Sequence, residues 1–184
     1  MASSKGGSSG TLPVAIEMLE ADHRKVEMLF DQYEDEKEDM GEDGKRELAQ
    51  RICMELKVHT RIEEEIFYPW VRENVDETEL VEEATVEHQS AKDLIAQLEG
   101  ASEIDETFDA KVKVLGEYVK HHVQEEENEM FPQVQSQQEE LDELGQEMTA
   151  RKVELMEEMG MEDEAAMAGG RSRPGQGAQQ QRGA

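Results

Sequence analysis

The chain contains five histidines, His23, His59, His88, His121 and His122. Imidazole both ligates transition metals and exchanges protons near neutral pH. Two of the five open closely similar stretches, "HTRIEEEIFYP" at 59–69 and "HVQEEENEMFP" at 122–132. These align without gaps at an offset of 63 residues, so that Glu63 matches Glu126, Glu64 matches Glu127, Tyr68 matches Phe131 and Pro69 matches Pro132. Positions i and i+4 of a helix share one face, so His59 with Glu63, or His122 with Glu126, can present an imidazole and a carboxylate to one cation. His23 and His88 stand 65 residues apart, close to the same offset. The chain therefore reads as two copies of a helical hairpin, each giving a lone histidine and then a His-x-x-x-Glu pair. Packed about a pseudo-two-fold axis, they would bring His23, His59, Glu63, His88, His122 and Glu126 together in the interior as candidate metal ligands.

The spacing alone is a weak signal. Acidic residues are 46 of 184, so a carboxylate follows any histidine at this distance about one time in four, as Glu27 follows His23 and Glu125 follows His121. The weight comes from periodicity. Each of four helical segments places one histidine in its apolar stripe: His23 between Leu19 and Val26, His59 after Leu56, His88 between Ala84 and Ala91, and His122 after Val119. His121 falls about 100° from that stripe, and its repeat counterpart is Val58. This favours His122 over its neighbour while leaving a partly buried flank open to His121. The competing explanation is a set of buried polar side chains held by hydrogen bonds. Against it, an unpaired buried carboxylate costs several kcal/mol. Two of them, in stripes with so little Lys or Arg, call for positive charge from a pair of metal ions.

The elements that must position these residues follow from the same periodicity. The first helix is expected after Thr11-Leu12-Pro13, with Thr11 as its cap and a stripe running from Leu12 through Ile16, Phe30 and Tyr33. Gly41 and Gly44 mark a turn. The second stripe runs from Leu48 to Ile66 and Trp70 and ends near Pro69, the third stops at Gly100, and the fourth runs from Phe108 to Met130 and ends at Pro132. Short connections make neighbours antiparallel, so the expected fold is all-α, an up-down-up-down four-helix bundle over 11–134. An additional C-terminal helix at about 136–160, within an extension over 135–162, carries Leu141, Leu144, Met148 and Leu155 on one side. It either packs outside the bundle or forms a dimer contact, so both a monomer and a homodimer remain open. Residues 1–10 and 163–184, rich in Gly, Ser and Gln, are expected to be disordered tails.

Composition limits the partners. Nineteen basic residues against 46 acidic ones give a net charge of −27, a field that repels phosphate backbones and argues against nucleic acid. A lone cysteine, Cys53, rules out an internal disulfide and reads as a packing residue, consistent with a reducing cytoplasm. The N-terminus lacks the apolar stretch of a secretory signal. No window approaches the roughly 18 apolar residues of a membrane span.

Imidazole and carboxylate together suit iron, manganese or zinc. Two six-coordinate ions offer about twelve positions, of which two bridging glutamates and four histidines fill about eight. The rest are open to solvent or a small ligand. At this point the sequence resembles the hemerythrin-like, or HHE cation-binding, domains. The resemblance is carried by "DHRKVEMLF" with His23, "HTRIEEEIFYP" with His59 and Glu63, "EHQSAKDLIAQL" with His88 and "HHVQEEENEMFP" with His122 and Glu126, and covers about 12–134. It implies a non-haem di-iron centre, two iron ions joined by carboxylates and an oxo or hydroxo bridge. Such centres serve O2 binding, gas or redox sensing, or iron handling, with O2, peroxide or NO as the small ligand. A di-iron enzyme that decomposes peroxide or oxidises Fe(II) is the alternative, and a metal-free partner-binding bundle a second. Members that carry O2 have a second histidine four residues after the one on helix three and close helix four with His-x-x-x-x-Asp. Here those places hold Lys92 and the His122–Glu126 pair. His121 and Tyr118 are the further candidates to join the site.

Overall fold

The computed structural model describes residues 12–75 and 78–161. The expected tails and the Thr11 cap lie outside them. All regular structure among the described residues is helical. Helix α1 spans Val14–Glu36, α2 Glu42–Ile62, α3 Tyr68–Asn74, α4 Glu79–Glu99, α5 Glu106–Glu125, α6 Phe131–Val134 and α7 Gln138–Glu158. Helices α1, α2, α4 and α5 form a ring, each touching the next, with α5 closing onto α1. Gly41 is the N-cap of α2, whereas Gly44 lies inside its first turn rather than in the connection. Asp105 caps α5 by accepting the Phe108 N–H at 2.9 Å. Gly100 ends α4. No helix among the described residues is long and apolar enough to cross a membrane.

The helices expected to stop at Pro69 and Pro132 run on past them. Between α2 and α3, and between α5 and α6, the chain stays helical through one widened π-type turn each, Glu63–Phe67 and Glu126–Met130. In each, a backbone N–H reaches five residues back, Tyr68 to Glu63 and Phe131 to Glu126. The ladder restarts after the wide turn. Each proline then stands in a first helical turn, where its missing N–H has no intrahelical partner to lose. The extra residue also shifts the stripe. Phe67 and Val71 are buried, where uninterrupted periodicity selects Ile66 and Trp70, which are only partly covered.

The core divides at the histidines. Ala15, Ile16, Leu19, Ile62, Phe67 and Val81 belong to one apolar cluster, and Val26, Leu29, Leu56, Ala91, Leu115 and Val123 to another. Cys53 packs in the second, where burial pushes its thiol up to about 12. Phe30 is only partly buried, and Leu12, ahead of the helix start, is exposed.

Helix α7 packs on the bundle, against α1 and α2. Leu141, Met148 and Leu155 are fully buried there. Gly145 permits this approach, since a Cβ at that position would stand 2.5 Å from the Ala15 nitrogen. Asp142 of α7 accepts the first N–H of α1, from Val14, at 2.8 Å.

Candidate metal centre

Between the two apolar clusters lies a layer of buried polar side chains. His23, His59, His88, His122, Glu63 and Glu126 are all buried, the two glutamates at 0% and 1% exposure. The imidazoles form two pairs, His23 with His59 at 4.8 Å between ring centres and His88 with His122 at 4.7 Å. Each glutamate reaches both pairs. Glu63 stands 3.3 Å from Nε2 of His59 through one oxygen and 3.3 Å from Nε2 of His88 through the other. Glu126 Oε2 stands 3.2 Å from Nε2 of His23 and 3.6 Å from Nε2 of His122.

A ring of outer carboxylates orients the imidazoles. Nδ1 of His23 faces Glu127 at 2.8 Å, Nδ1 of His88 faces Glu64 at 3.0 Å, and Nδ1 of His122 faces Glu87 at 2.9 Å. Nδ1 of His59 lies 3.8 Å from Asp22. Three of these acids are backed by cations: Glu127 by Arg24, Asp22 by Lys152 of α7, and Glu64 by Lys92 at 2.6 Å. Hydrogen bonding to His88, reinforced by Lys92, holds Glu64 down at about 2, so it stays ionised. Hydrogen bonding at Nδ1 of His23, His88 and His122 turns the Nε2 of each inward, the arrangement metal-binding histidines use. Lys92 thus has a role in the layer, anchoring the acid that holds His88.

The inner atoms are not otherwise satisfied. His23 Nε2, both nitrogens of His59, both oxygens of Glu63 and Oε2 of Glu126 are buried without a hydrogen-bond partner. Buried polar atoms are very rarely left so. Burial and repulsion from Glu126 raise the Glu63 carboxyl to about 8. Burial acts against Glu126 as well, but His122 and His23 beside it hold its carboxyl below the usual range. The pair therefore keeps a proton at neutral pH. Burial alone would lower His23, yet the carboxylates of Glu126 and Glu127 beside it bring it up to about 10. One set of ligand atoms, from His23, His59, Glu63 and Glu126, lies within 4.8 Å, as does a second from Glu63, His88 and His122. Two overlapping sets of imidazole and carboxylate donors can hold metal, and cations would satisfy the orphaned atoms and offset the buried negative charge.

Tyr68 is a member of this layer that sequence periodicity passes over. Its ring is fully buried, and its hydroxyl donates to Glu126 Oε1 at 2.8 Å, with Nε2 of His88 at 3.2 Å and of His122 at 3.5 Å. Burial next to Glu126 and Glu63 pushes this phenol well above its ordinary value. His121 points elsewhere. Its side chain is 62% exposed and faces Glu125 at 3.2 Å and Glu87 at 3.7 Å, a separate surface group. A cavity of about 20 Å³, room for one or two water-sized molecules, adjoins the layer. His23, His59 and His122 line it together with Val26, Ala91 and Val119. Tyr118 also lines it but is 48% exposed.

Comparison with known proteins agrees with this geometry. Residues 14–134 match the family profile described as the Hemerythrin HHE cation binding domain. A protein of Nostoc sp. named a DNA nickase is 26% identical over 146 residues, which cover 78% of this chain. The chain spans only 40% of that protein's length. No solved structure matches.

Proposed function

Since the chain belongs to the hemerythrin HHE cation-binding family, we propose that it binds two iron ions in the histidine layer and uses them to bind O2 or a related small ligand such as peroxide or NO. The observation that carries this reading is the convergence of unpartnered buried atoms from His23, His59, Glu63 and Glu126. Hydrogen bonding within the protein leaves them unsatisfied, and a cation pair would not. In this reading His23 and His59 hold one ion, His88 and His122 the other, and Glu63 and Glu126 serve both. The iron pair would supply reversible coordination of the ligand or electron transfer to it.

The chain's own groups do the rest. Glu127, Glu64 and Glu87 orient the imidazoles of His23, His88 and His122, and Asp22 faces His59 at 3.8 Å. Val26, Ala91 and Val119 narrow the cavity to a space for a molecule of a few atoms. A space of that size suits O2, NO or peroxide as the ligand. Turnover of peroxide or Fe(II) at the same centre is the competing outcome. The activity named for the Nostoc relative is not carried to this chain, whose charge of −27 opposes a polyphosphate.

The test is anaerobic loading with Fe(II), followed by O2, NO or peroxide. Expected are two irons per chain and a near-ultraviolet chromophore that changes on adding O2, or azide after oxidation. Catalytic consumption of peroxide or Fe(II) over many turnovers would make it an enzyme. Less than one metal per chain, with stability indifferent to chelator, would leave a purely structural bundle.

A further inference from the structure

The two halves of the layer differ at one pair of matched positions. Phe131 lies over His23 with the rings nearly parallel, 4° between planes and 6.1 Å between centres. Its repeat counterpart Tyr68 lies over His88 at 5.4 Å. The hydroxyl is the chemical difference, and it does not point away. Its oxygen stands among Nε2 of His88, Nε2 of His122 and Oε1 of Glu126. Glu64 and Glu87 take the Nδ1 protons of those histidines. The two Nε2 atoms face each other across 3.1 Å, and in the neutral imidazoles that metal binding requires both carry lone pairs. The single phenol proton goes to Glu126 and relieves neither. Two nitrogens and one oxygen therefore direct lone pairs at a common space.

We infer that Tyr68 is a ligand of the ion held by His88 and His122, bound as its phenolate. This rests on the two-iron reading above. On binding, the O–H bond breaks, its proton leaves to solvent, and an oxygen–metal bond replaces it, so metal uptake releases one proton per site from this residue. A hard anionic oxygen favours a trivalent ion over a divalent one. The His88–His122 half then has five protein ligands and the His23–His59 half four. The more open half is the one whose two histidines both line the cavity. Exogenous ligands would accordingly bind on the His23–His59 side.

The experiment uses the full chain loaded with Fe(II) and oxidised with ferricyanide. A tyrosinate bound to Fe(III) gives a charge-transfer band in the visible, with ring vibrations enhanced in Raman spectra excited into it. Expected are two irons per chain, a visible band, Raman shifts on ring-deuterated tyrosine, loss of the band in Tyr68→Phe and its retention in Tyr118→Phe. Phe131 shows that the matched position accepts a phenyl ring, and the isotope measurement on unaltered protein stands whether or not Tyr68→Phe folds. Two irons per chain with no such band, or a band that survives in Tyr68→Phe, would overturn the assignment while leaving the iron pair in place. Failure to take up iron would overturn both.

Discussion

Glu63→Gln in the metal-free protein should make the fold more stable while abolishing its use. The Glu63 carboxyl ordinarily titrates at 4.5 and is held up to about 8 in the folded chain. Between those values the folded state binds a proton that the unfolded state has lost, so stability falls as pH rises. At about 1.4 kcal/mol per pH unit, carrying that proton from pH 4.5 to 7 destabilises the fold by roughly 3 kcal/mol. Glutamine has the shape of the protonated acid and never ionises, so it escapes the penalty. His23, raised from 6.5 to about 10, loses stability with the same sign but only above pH 6.5. The window from pH 5 to 6.5 therefore isolates Glu63. Urea or thermal unfolding in chelator should show the variant ahead by under ~1 kcal/mol at pH 5 and by roughly 3 kcal/mol at pH 7, or roughly 6–12 °C in Tm for a chain of this size. Iron should stabilise the wild type and do little for the variant. A chelated variant no more stable than wild type at pH 7, or a gap that does not grow with pH, would refute the idea of a strained, proton-holding carboxylate pair.

Metal analysis should separate the adjacent histidines: His122→Ala loses at least one ion per chain, whereas His121→Ala, altering a side chain 62% exposed, keeps both. Lys152→Met removes the cation behind Asp22 and loosens His59, so chelator competition should show affinity down by about 10-fold, with near-wild-type unfolding in the metal-free state. Gly145→Val drives side-chain atoms into the Ala15 backbone and should undock α7. Exposing Leu141, Met148 and Leu155 forfeits roughly 5–9 kcal/mol of burial as an upper bound, visible as lost hydrogen-exchange protection over 138–158.

Much of the centre was legible in the sequence because it repeats. One histidine per stripe, and two glutamates one turn on, are geometric facts of a 3.6-residue period. The structure brings those six side chains together. The outer acids were not legible, since any one of them is hidden among 46. The repeat nonetheless marks them: Asp22 and Glu87 each precede a lone histidine, and Glu64 and Glu127 each follow a paired glutamate. Tyr68 escaped for a different reason. Periodicity counted straight through 63–70 puts it off the stripe, and the added residue of the π-type turn brings it in. The docking of α7 rests on a glycine whose meaning depends on the backbone it meets, which no periodicity reports.

The widened turns begin at Glu63 and Glu126 themselves, so each of these residues contributes a carboxylate from its side chain and a long-reach acceptor from its main chain. A helix of unbroken pitch would tie the phase of everything downstream to the phase of the histidines upstream. The slack of one residue uncouples them. The floor beneath the histidine layer, built from Phe67, Val71, Phe131 and Val134, takes its phase from the wide turns. Removing a single residue from 64–67 would cancel that independence, swinging the Tyr68 oxygen out of the layer while His59 and Glu63 stayed where they are.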